Sequence, residues 1–585
     1  MIDRSPEPET GSGLDDDLDT VDEGKRLVRV GGASGLSLAE RLTERFHRLT
    51  WRTPIHGMRL KGRHPLKLIA VPDDPFLGDV KRGQALLSGQ VTFRGETRAV
   101  AALNFAKPDF SDDFSEYLHS FGWLRDLSTV ATRAQGVPVA EAIMRQWLAV
   151  HADKVSEPAW RADLWGRRIL AWSAHAPLIL SSADLVYRSK VLNTFARGAR
   201  HLDRGVDKLP PGAPRVAANC GVVAASMLIS GNETRRGAAE AALARAIATS
   251  VFEDGGVVSR SPTAQIDVIM LLTALRCVYD VRRFDAPEII ADTLAKMVPA
   301  LLGVCMGDGA LSSWQGGGPV SAASVADVIA ATGVRTRPLR QAREWGYQRL
   351  ASGQSVLVID AAPPPVARLI KGGCASTLAF EFSDGPHRLI VNCGGARAGI
   401  VQIPAALSEG MRTTAAHSTL VVGDSNSTAV HADGTLGRGV GEVELARQES
   451  EQASRIEGSH DGYARRFGFT HHRQLILSGD GRELRGEDML LPSHRRRRIA
   501  TMGFVIRFHL GLGVEVSPTA DGMAALLRLP GAPLWQFRVR GGTLSAEESV
   551  WIDAEGRPQS TSQLVVTGES PAGGANISWV LKRAV

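Results

Sequence analysis

The feature that most constrains this chain is a change of periodicity past its middle. From about residue 111 to 350, apolar residues recur three and four apart in Ala-, Leu- and Arg-rich stretches broken at Gly and Pro clusters, the pattern of consecutive amphipathic helices. Trp160, Leu164, Arg167, Ile169 and Trp172 fall on one such helix, residues 222–229 on a second and 266–278 on a third. After Asp360 the pattern becomes short runs, several of them alternating, at 377–382, 388–392, 418–422, 467–477, 502–510 and 563–567, separated by Gly, Asp and Asn turns. Helices first and strands second argue against an α/β sheet with interleaved crossovers and predict a helical domain followed by a mostly antiparallel sheet domain. The helices must pack on one another as a bundle, a solenoid or a closed ring of hairpins. Ala361-Ala362-Pro363-Pro364-Pro365 reads as a stiff extended connector between the two, and a cleft there is the natural binding site.

A length of 585 residues allows two to four domains. No apolar run reaches the roughly 18–20 residues of a membrane span. The first 24 residues carry nine carboxylates against Arg4, a local −8, which leaves +14 for the rest of a chain whose total is +6. The first stretch reads as a disordered acidic tail, and the basic body suggests an anionic partner. The N-terminus has neither the basic start nor the apolar stretch of a secretory leader, so the sequence alone predicts a cytoplasmic location. The cysteines, Cys220, Cys277, Cys305, Cys374 and Cys393, form no Cys-x-x-Cys pair and read as buried thiols.

Two loop-to-helix junctions stand out in the helical half. Arg215-Val216-Ala217-Ala218-Asn219-Cys220-Gly221 precedes an apolar helix, where an Asn has an ordinary use as a cap. Phe252-Glu253-Asp254-Gly255-Gly256 leads through Ser259-Arg260-Ser261-Pro262 into another, with Pro262 suited to the first helical position.

Together with Trp160-Arg161-Ala162-Asp163-Leu164-Trp165-Gly166-Arg167-Arg168-Ile169, Ala416-His417-Ser418-Thr419-Leu420-Val421-Val422 and His460-Asp461-Gly462-Tyr463, this set resembles the heparinase II/III family of polysaccharide lyases. The resemblance runs from about residue 40 to the end. It implies an incomplete (α/α) toroid over residues 38–359 and an antiparallel β-sandwich over 360–585, after a tail at 1–37. It also implies a periplasmic or cell-envelope setting and β-elimination of a uronate-containing polysaccharide. That reaction needs donors to neutralise the uronate carboxylate, a base for the C5 proton and an acid for the leaving oxygen. Asn219 matches the family's carboxylate-binding Asn. The His that should follow it is Cys220, and the Tyr and His expected after Ser261-Pro262 are Ala264 and Gln265.

In the sheet half the resemblance makes His417 a structural zinc ligand, completed by Asp433 and by His471 or His472. Alternation puts the last two on opposite faces, and His472 is preferred because it directly precedes Arg473. The position two before His417, where the family has a substrate-facing His, is Ala415. Tyr463 is the remaining proton-transfer candidate, with Arg465 and Arg466 close by. These two and Arg260 are the cations expected to bind an acidic sugar. The run Arg495-Arg496-Arg497-Arg498 lacks interleaved aromatics, which argues against nucleic acid as the partner. Two readings follow: an active lyase using Asn219 and Tyr463, or a lyase-fold protein that binds an acidic glycan without cleaving it. Nucleic-acid binding is a distant third. No organic cofactor is expected.

Overall fold

The strand Ser355–Asp360 fixes the layering, because all six of its residues are buried. Val356 and Val358 point into the core of the helical half, whereas Leu357 and Ile359 point into a second core between two sheets. A strand buried on both faces needs cover on both, so the molecule stacks helices, an inner sheet and an outer sheet. This computed structural model describes residues 21–29, 60, 67–230, 233–395, 403–493 and 500–584.

In the helical layer, three helices position the features that matter for function: α1 (Ala162–Ala174), α2 (Ala213–Leu228) and α3 (Pro262–Arg282). α1 and α2 cross at Gly166 and Gly221, where a Cβ on Gly166 would lie 2.0 Å from the Ala217 carbonyl oxygen. Small residues are required wherever two helix backbones approach this closely.

The inner sheet has eight strands. Its path runs through Thr543–Ile552, Pro558–Ser570, Met502–Leu510, His387–Val391, Phe380–Asp384, Ser355–Asp360 and Tyr347–Ser352, with Leu420–Val422 paired beside Met502–Leu510. The outer sheet has nine, in the order Arg26–Arg29, Glu442–Glu449, Ala453–His460, Phe469–Ser478, Glu483–Pro492, Ala575–Arg583, Trp535–Arg540, Ala524–Arg528 and Glu515–Pro518. All neighbours are antiparallel. Phe469–Ser478 alternates strictly between buried and half-buried residues, as a strand with one face on a core must.

Three expectations are corrected here. The boundary at 359/360 falls inside the sheet domain, since Tyr347–Ser352 and Ser355–Asp360 are already paired in the inner sheet. The Ala361–Pro365 run does not join the two domains: it follows Ser355–Asp360 within the sheet half, residues 361–366 are buried, and the Ala362 and Pro363 carbonyls accept hydrogen bonds from Arg260. Prolines suit the place because they bring no N–H groups to be satisfied there. Within the predicted tail, Arg26–Arg29 instead forms the edge strand of the outer sheet, with Arg29 ion-paired to Glu442 at 3.2 Å. Residues 1–20 and 30–37 of that tail, and the arginine run at 495–498, lie outside the described residues.

Candidate functional site

The junction of toroid and inner sheet is built around a buried ion pair. Arg260, on the turn before α3, is 4% exposed, and its Nη2 lies 2.5 Å from Asp360 Oδ1 in the inner sheet. The same guanidinium donates to the carbonyls of Trp345, Ala362 and Pro363. Ser376 and Gln315 donate to the other oxygen of Asp360, and Tyr347 donates to the Arg260 carbonyl at 2.6 Å. Arg260 therefore fastens the two domains instead of facing a ligand, which corrects its assignment as a sugar-binding cation.

Asn219 lies within α2, not on a loop before it, and is 3% exposed. Its Nδ2 donates to the Arg215 carbonyl one turn back at 2.8 Å, so one of its two N–H groups is used by the helix itself. Beside it Cys220 is fully buried, and burial pushes its thiol up to about 12. Gln265, where the resemblance puts a catalytic group, instead clamps the turn: its Oε1 accepts from Val257 N at 2.8 Å, and its Nε2 donates to the Gly255 and Met297 carbonyls.

Arg215, one turn before Asn219, is a cation that the sequence reading passed over. Its Nε and Nη2 donate to the Leu209 carbonyl and its Nη1 to Thr249. Partial burial lowers its pKa, and the like charge of Arg368, on the sheet domain, lowers it further against the opposing effect of Asp207. Two guanidinium groups, one from each domain, thus repel across the junction. Nothing in the local sequence pairs them, because they are more than 150 positions apart.

Tyr463 is 1% exposed and its hydroxyl donates to the Leu420 carbonyl at 2.8 Å. Burial pushes its pKa well above the ordinary tyrosine range, so the hydroxyl is packed away rather than poised for proton transfer. Arg465 and Arg466 are exposed on the short helix Ala464–Phe467, with Arg466 over the Phe467 ring at 5.2 Å.

The nominated zinc ligands do not converge. His417 is buried, and its Nδ1 donates to the Thr413 carbonyl at 2.7 Å. Asp433 sits on an exposed turn, accepting from Thr435 N and Oγ1. His472 points away from the sheet core, with Nε2 3.2 Å from Thr470 Oγ1. Among the described residues no three His, Cys, Asp or Glu side chains are grouped to hold a metal ion. This donor set does not fit zinc, which needs converging ligands.

The inward histidine is His471, and it joins a hydrogen-bonded chain that sequence alone did not reveal. Gly462 N donates to His460 Nδ1 at 3.1 Å, leaving His460 Nε2 to donate to His471 Nδ1 at 3.3 Å and His471 Nε2 to donate to Asp488 at 2.8 Å. Arg473 and Trp579 Nε1 satisfy the remainder of that carboxylate. Burial alone would raise the Asp488 pKa, but Arg473 and His471 outweigh it and hold it well below the carboxylate range. The contact follows from the antiparallel register, which makes His460 and His471 cross-strand partners. His509 fills the space beside Ala415, with Nε2 2.9 Å from the Ala415 carbonyl and Nδ1 2.8 Å from Ser549 Oγ.

Comparison with known proteins accords with this architecture. Residues 334–580 match the family described as heparinase II/III-like, C-terminal. The fold superimposes on the crystal structure of heparinase III with a TM-score of 0.68 at 13% identity, covering 95% of this chain and 93% of that one. The sheet half of this chain is heparinase II/III-like. The heparan sulfate lyase HepC of Pedobacter heparinus matches with a TM-score of 0.57 at 15% identity, over 90% of this chain and 87% of that one. At such identities the likeness establishes the toroid-plus-sandwich fold of this chain and leaves its chemistry to its own residues. The FtsZ-localized protein C of Caulobacter vibrioides (strain NA1000 / CB15N) is 28% identical over 551 residues, 90% of this chain and 92% of that protein. Among the described residues, no helix is long and apolar enough to cross a membrane.

Proposed function

We propose that this protein holds an anionic, uronate-containing glycan in the junction between toroid and sandwich without cleaving it. The observation that carries the reading is the condition of every group nominated for proton transfer. Ala264 has no proton to exchange, Gln265 is clamped in its turn, Cys220 is buried with its thiol held protonated, and the Tyr463 hydroxyl faces a carbonyl in the core. Carboxylate neutralisation is the requirement of β-elimination for which side chains of the right chemistry are present, in the amide of Asn219 and the positive charge of Arg215 and Arg368. An anion between these guanidinium groups relieves their mutual repulsion. The name of the Caulobacter relative, which places that protein with FtsZ, favours a binding role over a degradative one.

The test uses the full chain and a panel of uronate polysaccharides, with binding read on immobilised glycan and cleavage read as the ultraviolet absorbance of the unsaturated uronate that elimination produces. The expected outcome is saturable binding with no rise in absorbance. Arg215→Ala or Arg368→Ala should weaken binding by roughly tenfold, the worth of a charge-assisted hydrogen bond. A rise in absorbance that Tyr463→Phe abolishes would restore the lyase reading, and absence of binding to every glycan would end both.

A further inference from the structure

A second concave site lies inside the toroid. α1 and α3 run side by side with residues a hundred apart abreast: Arg167 makes a two-pronged pair with Asp267 at 2.5 Å in each bond, and beyond it Leu170 and Ala174 of α1 line one void with Met270 and Ala274 of α3. α3 starts next to Arg260 at the sheet interface, and at about 1.5 Å of rise per residue the stretch from Asp267 to Val278 carries this void progressively away from the sheets. It opens on the far side of the Arg167–Asp267 pair, whose charges reach Cys220 beside the junction discussed above. Its volume is about 150 Å³, which in an apolar setting accommodates a single benzene ring.

One buried polar group of the lining is left for a ligand. His175, which ends α1, is 7% exposed and lines the void. Its Nε2 lies 3.1 Å from Asp74 Oδ2, which also accepts from Arg125 Nε at 2.7 Å. A carboxylate only accepts, so Nε2 carries the hydrogen, and in the neutral ring Nδ1 is an acceptor. Among the described residues the ring's one side-chain hydrogen bond is the one through Nε2, which leaves Nδ1 for a ligand. The cations of the lining are already engaged, Arg167 by Asp267 and Arg125 by Asp74, while Asp73 adds a further carboxylate at the rim. Three carboxylates against two guanidinium groups disfavour an anionic ligand.

We infer that this pocket binds a neutral six-membered aromatic ring bearing one hydrogen-bond donor, a phenol-class group, with the ring between α1 and α3 and its hydroxyl donating to His175 Nδ1. The chemistry is shared by a free phenol and by the tyrosine side chain of a partner. The experiment titrates the full chain with phenol, benzene, benzoate and N-acetyltyrosinamide, reading binding by ligand-observed NMR. Phenol is expected to bind about three- to tenfold more tightly than benzene, as one added hydrogen bond implies, and benzoate not to bind. His175→Phe should bring phenol down to the affinity of benzene, and Ala274→Phe should exclude both rings while the thermal midpoint reports that the chain is folded. Competition of N-acetyltyrosinamide with phenol supports the pocket and assigns a tyrosine-bearing partner, whereas phenol binding without such competition supports it and assigns a free phenol. Equal affinity of phenol and benzene in the wild type, tighter binding of benzoate, or phenol binding unaffected by both substitutions overturns the inference.

Discussion

Arg260 stands at φ 54°, in the left-handed region that side chains other than Gly seldom occupy, and it does so to deliver its guanidinium to Asp360. Such a conformation costs on the order of 1–3 kcal/mol, so the surrounding contacts must hold it in place. With both partners at most 5% exposed, removing one leaves the other as an uncompensated buried charge. Arg260→Ala is expected to destabilise the protein by about 3–5 kcal/mol in chemical denaturation. A variant as stable as wild type would show that the pair does not fasten the domains. The residue was legible as part of a turn entering a helix, Ser261-Pro262, but its role was not, because Asp360 is a hundred positions away. The same holds for Tyr463: its presence in a motif says nothing of whether the hydroxyl meets solvent or, as here, the Leu420 carbonyl.

Among the elements, the crossing of α1 and α2 depends most on a single atom. Gly166 and Gly221 face each other, and a Cβ on Gly166 would meet Ala217 O at 2.0 Å and Ala218 Cα at 2.7 Å, both backbone atoms that cannot swing aside. Gly166→Ala would gain roughly 1 kcal/mol of helix propensity on an isolated helix. In the folded protein it is expected instead to lower stability by about 1–3 kcal/mol through overpacking, measured as a drop in denaturation midpoint. An increase in midpoint would mean that the helices separate without cost. Helices and the apolar strands were readable from periodicity, with Met502–Leu510 matching its predicted run from end to end. The strands Glu442–Glu449, Ala453–His460 and Glu483–Pro492 escaped notice because polar or small residues, Arg447, Gly458, Gly486 and Asp488, take inward positions and dilute the apolar alternation. Pairing on both sides within the outer sheet supplies what their own composition lacks.

For the molecule as a whole, the buried histidines set the response to acid. Burial, followed by the charges of Arg168 and His151, lowers His119 to about 2, and Trp147 Nε1 donates to its Nδ1 at 3.0 Å. Burial likewise lowers His509 to about 3, with the backbone bond to Ala415 opposing and His417 and Arg507 adding to the effect. The unfolded chain takes up these protons near pH 6.5 and the folded chain does not until far lower. The stabilisation is therefore complete above about pH 6.5 and is lost as pH falls, at roughly 2 kcal/mol for each of the two between pH 7 and pH 5. Asp488, held low by Arg473 and His471, acts in the same direction below about pH 4. The thermal midpoint is expected to fall steadily from pH 7 to pH 4, and a flat profile would mean that these rings titrate normally in the fold.

The sequence by itself determined the order of helices before strands and the two-part architecture, along with the identities of Cys220, Ala264 and Gln265, where the resemblance implies proton-transfer groups. These are local properties, carried by periodicity and by single identities within a motif. Only the tertiary structure decided that Arg260 is a fastener, that Tyr463 is sealed in the core, that His471 and not His472 turns inward, and that His417, Asp433 and His472 never meet. Burial and partnership belong to pairs of residues far apart in the chain, so they exist only once the helices and both sheets have closed on one another.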